Sequence, residues 1–160
     1  MSGIINTTGS KSGVIGVTEL DYSEGVWTPE VYGSSGSTGG RANSEQVGQY
    51  TKIGRLVTCM WKYTLTNNGS WGGDMYVAGL PYKQAGTAFL ASGVVHMHNV
   101  NHDDGSADDD MHGLGTSDVV ASQDYMWINM VRFNAGGVRL PWSKIGNDSA
   151  FRGTFSYWVA

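Results

Sequence analysis

The stretch QVGQYTKIGRLVTCMWKYTLTNNGSWGGDMYVAGL, residues Gln46 to Leu80, predicts the fold of this chain. In its centre, Arg55 to Thr66, apolar side chains alternate with mostly polar ones. This period of two indicates a β-strand that is buried on one side. Its buried side is predicted to carry Val57, Cys59, Trp61, Tyr63 and Leu65.

Turn residues separate this strand from its neighbours. Gly54-Arg55 follows the alternating run Tyr50 to Ile53, and glycine at the first central position suits a type II′ hairpin turn because it tolerates positive φ. Asn67 to Gly73 is rich in turn residues, and Asp74 to Leu80 returns as a strand before Pro81. We therefore predict three consecutive antiparallel strands, a meander.

The composition predicts a single all-β domain. The chain has 160 residues and 24 glycines, with few charged side chains and many aromatic ones, as expected for strands joined by tight turns. Within Val119 to Phe133, the run YMWINMVRF, residues Tyr125 to Phe133, is apolar on both faces, which indicates a strand inside a sandwich or at a subunit interface. Roughly eight strands are expected. We predict a jelly-roll-like antiparallel β-sandwich over residues 21–160, with an extended N-terminal arm over residues 1–20.

Charge and hydropathy narrow the partners and the location. The net charge of −4 argues against nucleic-acid binding, which needs a basic face. No run approaches the ~20 apolar residues of a membrane span. No apolar signal segment follows Met1, so we expect synthesis in a cytoplasm. Cys59 is the only cysteine, so an intrachain disulfide is impossible, and we expect a buried thiol.

The N-terminal stretch MSGIINTTGSKSGVIG is too polar and small to form a core of its own. One interpretation is a disordered tail. The other is an arm that docks four apolar side chains into pockets on another subunit. These are Ile4, Ile5, Val14 and Ile15.

One segment has side chains suited to a metal ion. His96 and His98 are two residues apart on a predicted strand and therefore share a face, and an acidic segment with His102, Asp103 and Asp104 follows. Imidazoles with carboxylates hold Zn²⁺, and carboxylate clusters hold Ca²⁺. The spacing does not match an EF-hand, and a solvated acidic loop is the alternative.

The search for catalytic motifs argues against an enzyme. The sequence has no phosphate-binding loop and no GxSxG, and its single cysteine lies in no recognisable catalytic signature. We expect neither catalytic residues nor a cofactor apart from the candidate ion. A metal-dependent hydrolase built on His96 and His98 is a remote alternative.

The tryptophans and tyrosines exceed what a core of this size needs. Trp71 and Trp142 lie near predicted turns and are candidate exposed contact aromatics. They would be buried between subunits or form platforms for sugar rings. Alternatively, they cover the ends of the sandwich.

Three segments resemble a module common in bacteriophage virion proteins. Asp21 to Val31, DYSEGVWTPEV, resembles the D-Y-E-E-G-T-W-T-P segment that opens the module. Residues 50–57, YTKIGRLV, resemble its Y-T-K-I-G-N-L-V strand pair, and residues 77–82, VAGLPY, resemble its I-x-G-L-P-F segment. The match covers about residues 21–82, and residues 1–16 are similar to the arm that precedes this module in marine phage proteins. Its mild departures are Ser23 for Glu, Val26 for Thr, Arg55 for Asn and Tyr82 for Phe.

The resemblance implies a β-sandwich that assembles as a homotrimer on a virion surface, and it brings no catalytic residues with it. We expect a capsid decoration, or cement, protein that binds the major capsid protein and stabilises the head through its N-terminal arm. The alternative is the tip of a tail fibre or spike that binds a host receptor.

Overall fold

The computed structural model describes residues 21–36, 40–86, 91–101, 111–130 and 138–159. These residues form ten antiparallel strands and one short 3₁₀ turn, Trp142–Lys144. The strands are β1 (Tyr22–Trp27), β2 (Glu30–Gly36), β3 (Ala42–Ile53), β4 (Leu56–Asn67), β5 (Trp71–Ala78), β6 (Ala91–Val100), β7 (Met111–Val119), β8 (Tyr125–Met130), β9 (Val138–Arg139) and β10 (Ile145–Trp158).

The strands form one sheet in the order β1-β3-β4-β10-β6-β7-β8-β5-β2, with β9 paired to β8. The sheet curls around a single core that takes its side chains from the inward positions of the strands. The predicted all-β antiparallel fold of the jelly-roll-like sandwich class is therefore confirmed. The predicted arm, residues 1–20, lies outside the described residues.

The predicted hairpin between β3 and β4 is confirmed, but the predicted meander is wrong at its third strand. Ile53 pairs with Leu56 across a two-residue turn, and Gly54 has a φ of +57°. The next strand, β5, pairs with β2 and β8 and not with β4. The other side of β4 is occupied by β10, from the far end of the chain. The turn after Asn67 therefore carries the chain to the opposite side of the curled sheet.

A row of alternating tryptophans and glycines crosses the inner side of the sheet. In the register of β1, β3, β4 and β10, Trp27 pairs with Gly48, Gly48 with Trp61, and Trp61 with Gly153. Both tryptophans are buried. A Cβ at Gly48 would lie 2.6 Å from the indole nitrogen of Trp27, and one at Gly153 would lie 2.4 Å from that of Trp61. The glycines thus provide the space that the indoles fill.

The curled sheet closes where its two edge strands follow one another in the chain. β1 and β2 stand at opposite ends of the strand order, yet only Thr28-Pro29 separates them. Pro29 has no N–H to donate to a ladder, so a place between two edge strands leaves no ladder bond broken. Side chains of the β3 region reach across to β2. The Arg41 guanidinium donates to the Val31 carbonyl and to Glu30, and the Gln46 amide donates to the Pro29 carbonyl at 3.0 Å.

Glycine and serine are typical of loops, but β2 continues through this kind of stretch after Tyr32 to Gly36, where it pairs with β5. β8 alternates between buried and half-buried side chains, so the rest of the chain covers the outward side of β8 only in part. The inward side chains are Met126, Ile128 and Met130. Cys59 is fully buried on β4, as predicted.

Candidate interaction surfaces

The two predicted metal ligands on β6 share the outer face of the sheet, as their spacing implies. His96 is exposed and stands between Arg152 of β10 and Leu114 of β7, while His98 is half-buried. Within the described ranges, no group of three or more His, Cys, Asp or Glu side chains is placed to hold a metal ion. The remaining candidates, His102, Asp103 and Asp104, lie outside those ranges, so the ion site stays a prediction.

The predicted contact aromatics do not project into solvent as expected. Trp142 is only 2% exposed and belongs to the core, which corrects its predicted exposure. The reason is that the 3₁₀ turn after Pro141 packs its first residue inward. Trp71 is half-buried, with its ring centroid 6.5 Å from that of Trp142 and 5.3 Å from that of Tyr32. Trp142 therefore lies within the core, and Trp71 packs against it.

The four predicted arm residues, Ile4, Ile5, Val14 and Ile15, fall within residues 1–20, outside the described part of the chain. Their docking role stays a prediction. The chain enters the described region at Asp21, directly before edge strand β1.

The three motif segments meet at one corner of the sheet. Lys52 forms an ion pair with Asp21 at 2.5 Å, and the amide of Gly54 donates to the Asp21 carbonyl at 2.6 Å. The first motif is thus joined to the second by backbone and side chain together. The ring of Tyr82, from the third motif, stands edge-on to Tyr50 with the centroids 5.5 Å apart. We call this set of contacts the motif corner.

Ser23 and Tyr82, two of the positions at which the sequence departs from the motif that it resembles, contact each other in the motif corner. The Ser23 hydroxyl lies 3.2 Å from the Tyr82 hydroxyl. The Tyr82 hydroxyl therefore has a polar partner there.

The outer side of β2, β5 and β8 carries a row of aromatic rings capped by two arginines, which we call the aromatic face. Tyr76 lies between Tyr32 and Trp127, with centroid distances of 5.5 Å and 5.6 Å. The Arg41 guanidinium stands 4.6 Å from the ring centre of Tyr32, and that of Arg139 stands 4.0 Å from Trp127. These cation–π contacts cover the two outermost ring faces.

The outer side of β1, β3, β4, β10, β6 and β7 is different, and we call it the apolar face. Ten large hydrophobic side chains are exposed among the described residues, and only Val138 lies elsewhere. The alternation of the strands and their register place the other nine on this one face. They are Tyr22, Val26, Val47, Ile53, Leu56, Met60, Val94, Leu114 and Trp158.

The sequence of β4 contains one sign of the apolar face. Met60 is an apolar residue at an outward position, between the polar Thr58 and Lys62 of β4. Such a residue breaks the inside–outside pattern of a one-sided strand. Its neighbours on the face come from strands far apart in the chain, so the pattern within one strand could not reveal a patch.

The charged side chains on the apolar face are few, and the central ones are mutually compensated. Glu45 accepts hydrogen bonds from Lys62 and from the Thr64 hydroxyl, and these bonds lower the pKa of the Glu45 carboxyl. The positive charge of Arg152 acts in the same direction. The described face also carries two further carboxylates, Glu24 on β1 and Asp118 on β7, so its charges of opposite sign nearly balance.

Comparisons with known proteins found no matching family model, curated protein or solved structure. None of the helical segments in the described parts of the chain is long and apolar enough to cross a membrane.

Proposed function

We propose that the protein is a bacteriophage structural protein, a capsid decoration protein that binds the head surface as a trimer. The observation that carries this proposal is the motif corner. Three short segments that resemble the virion module are distant in sequence, yet Asp21, Lys52 and Gly54 bond directly, and Tyr50 packs against Tyr82. Segments that resemble a module in the right order, and that contact one another, support a shared structural unit.

The chemistry of the described surfaces agrees with a binding protein. The motif corner is built from an ion pair, tyrosine rings and backbone hydrogen bonds, which are structural contacts. The two outer faces are broad sheet surfaces covered with apolar, hydroxyl and aromatic side chains. Such surfaces suit contact with other proteins.

In the proposed mechanism, the N-terminal arm reaches across neighbouring capsid subunits. Its apolar side chains at positions 4, 5, 14 and 15 enter pockets, and its backbone pairs with strands of the shell. Three arms on one trimer bind with avidity even when each arm binds weakly. Holding several subunits together resists the outward pressure of packaged DNA.

The copy number per virion tests this proposal directly. Quantitative mass spectrometry of purified particles gives the ratio of this protein to the major capsid protein. A ratio near one to one, or another large fixed fraction, is expected for a head decoration protein. A count of a few tens or fewer would contradict the proposal and assign the protein to the tail, as a fibre or spike tip.

The arm is tested by a matched pair of variants. Replacing Ile4, Ile5, Val14 and Ile15 by serine is expected to leave heads undecorated and more easily broken by heat. Replacing Thr7 and Thr8 by alanine changes the same segment without removing apolar side chains, and decoration should persist. Full decoration by the serine variant would exclude the arm as the capsid anchor.

A further inference from the structure

The exposed apolar side chains are distributed very unevenly over the two sides of the molecule. The middle row of the apolar face runs through Val26, Gln49, Met60, Thr154 and Val94 in the register of five neighbouring strands. No residue in this row carries a charge. Val26 is 79% exposed, Met60 57% and Val94 55%. Three widely exposed apolar side chains in one uncharged row, with six more on the same face, mark a contact site.

We propose that the apolar face is the surface through which copies of this chain associate, with Val26, Met60 and Val94 buried against a second copy. This deepens the proposed function, on which it rests, because it names the surface that holds the proposed trimer together. The face lies on the outside of the folded sheet, so it is already formed in the single chain.

The charge pattern favours a second copy as the occupant. A surface that meets its own copies must not repel itself, and like charges brought together at an interface are costly. The middle row is uncharged, and beside it Glu45 is bonded to Lys62 and also feels the charge of Arg152. On the described part of the face, three carboxylates stand against two cations, Lys62 and Arg152, so the charges of opposite sign nearly balance.

The hydrophobic character of the face also favours a second copy over the capsid as its partner. Permanent interfaces between subunits are more hydrophobic than interfaces between proteins that fold separately and meet later. A decoration protein folds before it meets a head, and until then an apolar face would remain in water. A second copy made at the same time covers it at once.

The exposed area of the apolar face is sufficient for an interface with a second copy. Nine large side chains that each expose on the order of 100 Å² together match the ~800 Å² that one partner contributes to a standard interface. The aromatic face offers no equivalent, since Arg41 and Arg139 already cover the rings of Tyr32 and Trp127.

The test compares the same substitution on two surfaces. Val94→Lys places a charge in the middle of the apolar face, and Val138→Lys places it on β9, where the side chain is 38% exposed. Sedimentation velocity of the full chain over a range of concentrations should show an oligomer for the wild type and for Val138→Lys. Val94→Lys should weaken self-association by about 100-fold or more, because burying an unpaired charge is costly.

Two further variants keep the test decisive. Met60→Lys repeats the experiment on another strand, and Val94→Thr changes polarity with almost no change of shape, so its folding is secure even if a lysine is not tolerated. Circular dichroism checks the fold of each variant. We expect Met60→Lys to dissociate and Val94→Thr to associate more weakly than wild type. A monomeric wild type, or folded variants that all associate as wild type does, would overturn the inference.

The outcome is separable from that of the proposed function. Virion copy number and head binding test the decoration role, whereas sedimentation tests the apolar face in the absence of capsid. A monomeric wild type that binds heads, with binding lost in Val94→Lys, would assign the apolar face to the capsid and overturn only this inference. Dissociation on removal of residues 1–16, with Val94→Lys still oligomeric, would assign subunit contact to the arm and also overturn it.

Discussion

At the scale of single residues, the core depends on two glycines that make room for indole rings. Gly48 stands between Trp27 and Trp61 in the register, and Gly153 lies on the other side of Trp61. A Cβ at either glycine would lie well inside the contact distance of a ring atom. The indoles are buried and tightly surrounded, so they cannot move aside without disturbing the core.

We therefore predict that Gly48→Ala and Gly153→Ala each lower the free energy of unfolding by ~2 kcal/mol, the usual cost of overpacking a core. Urea denaturation followed by tryptophan fluorescence measures the change. Gly146→Ala, also in β10, is the control, since an added Cβ there would meet nothing within 4 Å. An equal loss in all three variants would show that glycine's role at these positions is not the space it leaves for the indoles.

Residue patterns in the sequence were informative about burial and less so about exposure. The alternation in β4 correctly predicted the buried side, including Cys59. It did not distinguish an outward Met60 from an outward Thr58. Trp142 was misjudged because a neighbouring turn can direct a side chain inward as easily as outward. The side-chain direction at a turn depends on what packs above it.

At the scale of elements, the molecule is closed by side chains rather than by a continuous hydrogen-bond ladder. β1 covers β3 from Gly48 to Ile53, and β2 follows after the Thr28-Pro29 corner. Across this seam, Arg41 bonds to Glu30 and to the backbone of Val31. Its side chain is only 16% exposed, so these bonds are shielded from water.

Arg41→Met should therefore loosen β2. Removing the guanidinium leaves the Val31 carbonyl and the Glu30 carboxylate short of a partner, and it uncovers the ring of Tyr32. We expect a loss of about 2 kcal/mol, as for hydrogen bonds to a charged group. Hydrogen exchange should accelerate in β2 more than in β10.

Lys83→Met is the matched control for Arg41→Met, because it removes one positive charge from an exposed position. It should leave the stability and the exchange of β2 unchanged. If the two variants behave alike, the seam is held by backbone geometry and core packing, and the Arg41 contacts contribute nothing measurable.

At the scale of the whole molecule, two buried ionisable side chains make the free energy of unfolding depend on pH in the alkaline range. Burial raises the pKa of the Cys59 thiol from 9.0 to about 12, and burial likewise raises the pKa of the Tyr157 hydroxyl. In the unfolded chain these groups lose their protons at a lower pH than they do in the folded protein. Above pH 9 the unfolded state thus binds fewer protons than the folded state, and stability falls as the pH rises towards the folded pKa values.

We predict that the free energy of unfolding decreases above pH 9, with each buried group contributing a slope approaching ~1.4 kcal/mol per pH unit. Below pH 9 the contribution of the Cys59 thiol is fully present. Cys59→Ala should remove the part of the slope that one bound proton contributes. Tyr157→Phe should remove a similar part, beginning at a higher pH. Denaturation midpoints measured across this range check the prediction, which fails if the Cys59→Ala slope equals that of the wild type.

The sequence by itself determined most of the places where the chain extends and turns, although it did not show that β2 runs through the Gly/Ser-rich stretch to Gly36. Alternation with period two and the turn residues are local properties, so the β3–β4 hairpin, the burial of Cys59 and the shared face of His96 and His98 followed from neighbouring residues alone. The resemblance of three short segments to a virion module also rests on the sequence, and it stays a prediction.

Only the tertiary structure decided which strands lie side by side. β4 pairs with β10 at the far end of the chain, and β5 leaves β4 for β2 and β8, because pairing depends on how the whole sheet curls and closes. The same folding collects Val26, Met60 and Val94 from three distant strands on one apolar face. A periodic pattern reports the orientation of each side chain relative to its own strand, whereas a surface is defined by strands that only the closed sheet brings together.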